Sequence, residues 1–126
     1  MNAAMLEKSS AEFWRSSMKR AIWISFDLGV RGDYEALYSW LDEHGAKECG
    51  SSVAFLQYEC AKSPVQSLTK ELRKTVNLTN HSRVYVVYLD LETNRLRGSF
   101  IVGRRKAAPW SGYGSTAEQT DVDEAV

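Results

Sequence analysis

The side chains of this chain best suited to chemistry gather around one aspartate. Asp27 ends the alternating run Ala21-Ile-Trp-Ile-Ser-Phe-Asp27, and a loop with two glycines, Leu28-Gly-Val-Arg-Gly-Asp33, follows it. In an extended strand Ile22, Ile24 and Phe26 point one way, while Trp23, Ser25 and Asp27 point the other. A carboxylate at the end of a strand is an oxygen ligand for a hard cation such as Mg²⁺ or Mn²⁺, which activates a water for attack on a phosphodiester. The same carboxylate has a purely structural use, accepting backbone hydrogen bonds from Leu28 to Val30 and so shaping the turn. Both readings stand on the sequence. Asp33 and Glu35 would add carboxylates to a metal site, but Asp33 also stands where a helix N-cap belongs. Arg31, on the same loop, has the planar donor geometry that suits phosphate.

A second set of residues is basic. Arg95, Arg97, Arg104, Arg105 and Lys106 lie across and just after a C-terminal hairpin. With Trp23, Tyr58 and Tyr85 they would suit a nucleic-acid backbone, and as edge-strand charges they would equally guard a sheet against pairing with another chain. The two histidines, His44 and His81, have no cysteine or carboxylate at ligand spacing, so no zinc site is read. Cys49 and Cys60 also lack metal-like spacing and are read as free thiols. No phosphate-cradling glycine loop or dinucleotide fingerprint is present.

These residues must be positioned by a small α+β domain. The strand at about 21–27 leads into a helix at about 33–44, with Asp33 as N-cap, Gly45 as its C-terminal glycine, and Tyr34, Leu37, Tyr38 and Leu41 as the buried stripe. Residues 46–60 read as one or two strands broken or bulged at Gly50-Ser51-Ser52. Ser63, Pro64 and Gln66 open a second helix, with Val65, Leu68, Leu72 and Val76 inward and Lys70, Glu71, Arg73 and Lys74 outward. Arg83-Val-Tyr-Val-Val-Tyr-Leu-Asp-Leu91 is a strand, and residues 96–104 return as another with Leu96, Gly98, Phe100 and Val102 on one face. The order predicts a ferredoxin-like two-layer sandwich: an antiparallel sheet with two helices on one face. Its other face would then carry Trp23 and Ser25 uncovered, which predicts a homodimer with those residues in the interface.

Composition bounds the rest. A chain of 126 residues makes one domain, read as an N-terminal extension at 1–20, the sandwich at 21–106, and a flexible acidic tail at 107–126. The tail holds four acids (Glu118, Asp121, Asp123, Glu124) and no lysine or arginine, so the remainder sets 16 basic residues against 12 acidic ones, a net of +4. That excess admits an anionic partner such as RNA or DNA. No apolar run approaches the roughly 18 residues of a membrane span, and the first residues show no secretory signal pattern. The expectation is a cytoplasmic protein with no membrane contact.

Phe26-Asp27 at the end of the first strand, the amphipathic helix ending near a glycine, Ser52-Val-Ala-Phe55, and the strand Arg83-Val-Tyr-Val-Val-Tyr88 together resemble the smaller of the two universal CRISPR adaptation proteins. The virulence-associated protein D ribonucleases share that plan. The likeness spans roughly residues 20–104. It implies a ferredoxin-like fold, a homodimeric working unit and, as in some members, a metal-dependent nuclease using Mg or Mn. It also implies that the aspartate matched by Asp27 is contributed by both subunits at their interface. Two features depart from the family: the loop from Leu28 to Asp33, and the additional segments at both ends. The alternative is a non-catalytic dimeric interaction or regulatory module on the same scaffold, in which Asp27 is structural.

Overall fold

The computed structural model describes residues 18–61 and 63–114; most of the expected N-terminal extension and the end of the acidic tail lie outside the described residues. The elements follow in the order β1 (Met18–Asp27), α1 (Tyr34–Glu43), β2 (Lys47–Glu48), β3 (Val53–Cys60), α2 (Pro64–Thr75), β4 (Arg83–Asp90) and β5 (Arg95–Val102). The strands form one sheet in the order β2-β3-β1-β4-β5, with every neighbouring pair antiparallel. Each helix therefore crosses over a central strand to return the chain in a parallel sense, the arrangement of two interlocked split βαβ units. β5 extends this plan by a hairpin.

The period-two pattern of β1 sets the layers. Ile22, Ile24 and Phe26 are buried, and across the ladders they meet Leu56 and Ala54 of β3 and Val86 and Val84 of β4. These side chains form one core with Leu37, Trp40 and Leu41 of α1 and Leu68 and Leu72 of α2. Both helices thus cover the same sheet face. The alternate residues Trp23, Ser25 and Asp27 are exposed on the other. Burying Ile24 completely makes it a pivot of the core, and truncation to alanine at such a site costs about 2–5 kcal/mol.

The element ends follow local chemistry. The Asp33 carboxylate accepts from the backbone N–H of Ala36 at 3.2 Å, capping α1. At its other end Gly45 takes a φ of 64°, so that its own N–H reaches the Asp42 carbonyl and that of Ala46 reaches Leu41, both at 3.0 Å. The Ser63 hydroxyl accepts from Val65 at 3.2 Å, and Pro64 fills the first turn of α2.

Four local expectations are corrected. β1 starts at Met18, not near 21, because β3 runs on to Cys60 and supplies pairing partners for Met18, Lys19 and Arg20. In α1 it is Trp40, not Tyr38, that enters the core: Tyr38 is 53% exposed. In β5 a register shift opposite Val84 and Tyr85 turns Val102 to the helix side, away from Phe100. Glu71 is half-buried rather than outward, because Tyr58 and Trp40 donate to its carboxylate. No helix among the described residues is long and apolar enough to cross a membrane.

Candidate functional site

Because β1 and β4 are antiparallel, the strand that ends at Asp27 lies beside one that begins at Arg83, and these two residues are register partners. Ser25 likewise faces Tyr85, and Tyr85 faces Phe100 across the next ladder. Tyr85 and Phe100 meet edge to face, their ring centroids 4.7 Å apart. Gly98 allows this. A methyl group there would lie within 3 Å of the Tyr85 hydroxyl and ring, so the tyrosine occupies space that any side chain would fill. The chain leaving β5 then folds back, and the Arg105 guanidinium sits 5.6 Å from both ring centroids. Residues 108–113 form two turns, closed by Ser111 N–H to Ala108 and Tyr113 N–H to Trp110, both at 3.0 Å. They bring Trp110 to the same place.

Three shallow clefts meet here. One of about 350 Å³ is aromatic, walled by Ser25, Asp27, Tyr85, Phe100, Arg105 and Trp110. A second, of about 580 Å³, is basic: His81, Arg83, Arg104, Arg105 and Lys106 line it, with no carboxylate among the described residues. The third, of about 540 Å³, runs under the Leu28–Arg31 loop and contains Asp27, His81 and Lys106. Arg83 and Arg105 belong to both the first and second clefts, Asp27 to the first and third. The result is one rim at the carboxyl end of β1. It combines an exposed carboxylate, cations that form no ion pair among the described residues, and flat aromatic surfaces.

At Asp27 itself, Oδ1 accepts the Gly29 N–H at 3.0 Å, the turn-shaping bond anticipated for it. The carboxylate makes no ion pair among the described residues. Arg31 is exposed on the wall of the loop cleft. Asp33 faces elsewhere: besides capping α1, its Oδ2 accepts the Asn77 N–H at 2.9 Å, tying the start of α1 to the end of α2. Its two oxygens are thus engaged in structure. Among the described residues no group of three His, Cys, Asp or Glu side chains stands together as a metal cage.

The basic set divides. Arg104, Arg105 and Lys106 reach the Asp27 rim, whereas Arg95 and Arg97 lie at the far end of β5, about 20–30 Å away at the rise of an extended chain. Arg97 is also neutralised by Asp90 at 2.7 Å. The Glu92 backbone N–H, and after it Arg97, hold the Asp90 carboxyl below its ordinary value. Trp23 is 41% exposed and packs on Phe55 with centroids 4.9 Å apart, nearer the β3 side of the open face. Tyr58 lies on the opposite, buried face, where its hydroxyl donates to Glu71, and so cannot join the aromatic surface. Arg83, Phe100 and Trp110 were not singled out from the sequence as functional residues, and His81 was weighed there only as a metal ligand. The first was open to inference, since a strand beginning with arginine must lie beside the end of an antiparallel neighbour.

Cys49 is exposed and Cys60 buried, and neither forms a disulfide. Burial pushes the Cys60 thiol up, against the opposing influence of Arg20. No family model matches the chain, and comparisons with curated proteins and with solved structures find no match either.

Proposed function

We propose that the chain is a nucleic-acid-associated protein working as a homodimer, with the Asp27 rim as its contact surface. The observation that carries this reading is the juxtaposition of Arg83, Arg105 and Lys106, none in an ion pair among the described residues, with the Tyr85, Phe100 and Trp110 rings. Guanidinium and ammonium groups suit the phosphate backbone, and flat rings accept unstacked bases of any sequence. The resemblance to the CRISPR adaptation and virulence-associated nucleases adds a catalytic extension. In it, Asp27 holds Mg²⁺ or Mn²⁺ together with the Asp27 of a second copy. Oδ2, which accepts no hydrogen bond among the described residues, is the oxygen that fits such a role. Oxygen–metal bonds of about 2.0–2.6 Å require the two carboxylates to meet within about 5 Å. A bound divalent ion would supply an activated water and neutralise phosphate charge. One chain offers only half of that ligand set.

The second reading is a non-catalytic binding or regulatory dimer. The Asp27–Gly29 hydrogen bond favours it, because that bond gives the carboxylate a structural task. Labelled RNA and duplex DNA, incubated with and without Mg²⁺ or Mn²⁺, separate the two. Asp27→Asn is the informative variant: its amide oxygen still accepts the Gly29 N–H while the charge is gone. Metal-dependent cleavage lost in this variant, with binding retained, supports the nuclease. Binding without cleavage leaves the second reading, and absence of both removes the nucleic-acid assignment.

A further inference from the structure

The basic cleft has features that a general attraction for polyanions does not require. Arg83, Arg104, Arg105 and Lys106 converge on one cavity that no carboxylate among the described residues lines. Neither ion pair among the described residues, His44–Glu71 or Arg97–Asp90, involves any of them. Concentrating like charge in this way is unfavourable unless an anion joins it.

The surrounding backbone is fixed to hold that arrangement. Ser82 is buried; its hydroxyl accepts the Thr79 N–H at 2.9 Å, its own N–H bonds the Thr79 carbonyl at 3.0 Å, and Thr79 Oγ1 accepts from His81. These bonds make a closed turn that presents His81 to the cavity. Gly103, at a φ of 79°, lets the end of β5 approach this turn so closely that a methyl group would lie 2.7 Å from the Ser82 carbonyl. The approach places Arg104 beside Arg83, whose Nη1 reaches the Arg104 carbonyl at 3.5 Å.

We propose that this cleft binds a phosphate monoester, and that the aromatic cleft sharing Arg83 and Arg105 with it receives the base of the same nucleotide. A diester inside a strand carries one charge and two free oxygens. A monoester carries a charge of about −1.5 to −2 and three acceptor oxygens, which matches the donor set converging here. The ligand is thus a strand terminus bearing phosphate, or a free nucleotide. This inference rests on the nucleic-acid reading above and narrows it.

The test uses the full chain and one oligoribonucleotide sequence in two forms, with a 5′-phosphate and with a 5′-hydroxyl, alongside AMP and adenosine. The phosphorylated strand is expected to bind about tenfold more tightly, and AMP to bind where adenosine does not. Arg104→Gln combined with Lys106→Gln, at two exposed positions, should erase both differences while thermal unfolding stays unchanged. Equal binding of the two strand forms and no preference for AMP overturn the inference, and the nucleic-acid reading then survives if both strands still bind. Should neither strand bind while AMP binds through Arg104 and Lys106, the monoester site stands and the polymer reading falls.

Discussion

Glu71, half-buried beside the core, is the meeting point of three side chains. Tyr58 donates to its Oε1 at 3.0 Å, the Trp40 indole N–H donates to Oε2, and His44 Nε2 lies 3.3 Å from that same oxygen. His44 is itself fixed by Nδ1, 2.8 Å from the Trp40 carbonyl. One carboxylate thereby links α1, α2 and β3 beneath the helices. Glu71→Ala removes the acceptor of the indole and phenol donors in a half-buried site, and should lower unfolding stability by about 1–3 kcal/mol in urea titrations. Tyr58 gives this cluster a pH signature. Burial first, then the Glu71 charge, raises its hydroxyl well above the ordinary value of 10.0. The folded chain therefore keeps a proton that the unfolded chain gives up, so this contribution is full below pH 10 and declines as the pH rises above it. Tyr58→Phe should cost about 1 kcal/mol at pH 8 and lose less stability than wild type between pH 10 and 11. Parallel declines would contradict the assignment.

At the scale of the elements, β5 decides the shape of the open face. Gly98 makes room for the Tyr85 ring, and that ring in turn carries Arg105. Gly98→Ala should therefore swing Tyr85 aside and weaken nucleic-acid binding several-fold, while stability changes by about 1 kcal/mol or less, since the displaced atoms are at a side-chain end. A loss of binding matched by an equal loss of folding would point instead to a damaged sheet. The helix caps at Asp33 and Ser63, the closing Gly45 and the alternation of β1 were legible in the sequence because each depends on neighbours within a few residues. The face of α1 was not. Tyr34, Leu37, Tyr38 and Leu41 form one stripe, but Leu37, Trp40, Leu41 and His44 share the same spacing. What selects the second is Glu71 and Tyr58, which lie far along the chain and offer the indole and imidazole partners. The bulge that turns Val102 inward and the return of Trp110 to the Asp27 rim were hidden for the same reason: non-local packing sets both. The Asp27 site was half visible, as an acid at a strand end without the arginines and rings that other strands bring to it.

For the whole molecule, the question is what covers the sheet face that the helices leave bare. Its two halves differ in chemistry. Toward β5 it is aromatic and cationic, around Tyr85, Phe100 and Arg105. Toward β3 it is apolar, where Trp23 packs on Phe55 with Val53 beside it. The edges contribute unequally: β2 has only two residues, both exposed and charged, whereas β5 offers eight. A second copy seated on the Trp23 half would bury the indole and leave the cationic half free for a polyanion. The shared-metal extension further requires that the two copies pair with their β1 ends toward one another. Sedimentation velocity should then show a dimer for the wild type and a monomer for Trp23→Glu. Unfolding stability of that monomer should fall by no more than about 1.5 kcal/mol, the worth of the Trp23–Phe55 contact, because the replaced side chain lies outside the core. A wild type that sediments as a monomer removes the metal shared by two Asp27 carboxylates and leaves binding alone. If the dimer persists in Trp23→Glu, the pairing runs along the β5 edge, and the Arg95 and Arg97 charges become the next substitutions to test.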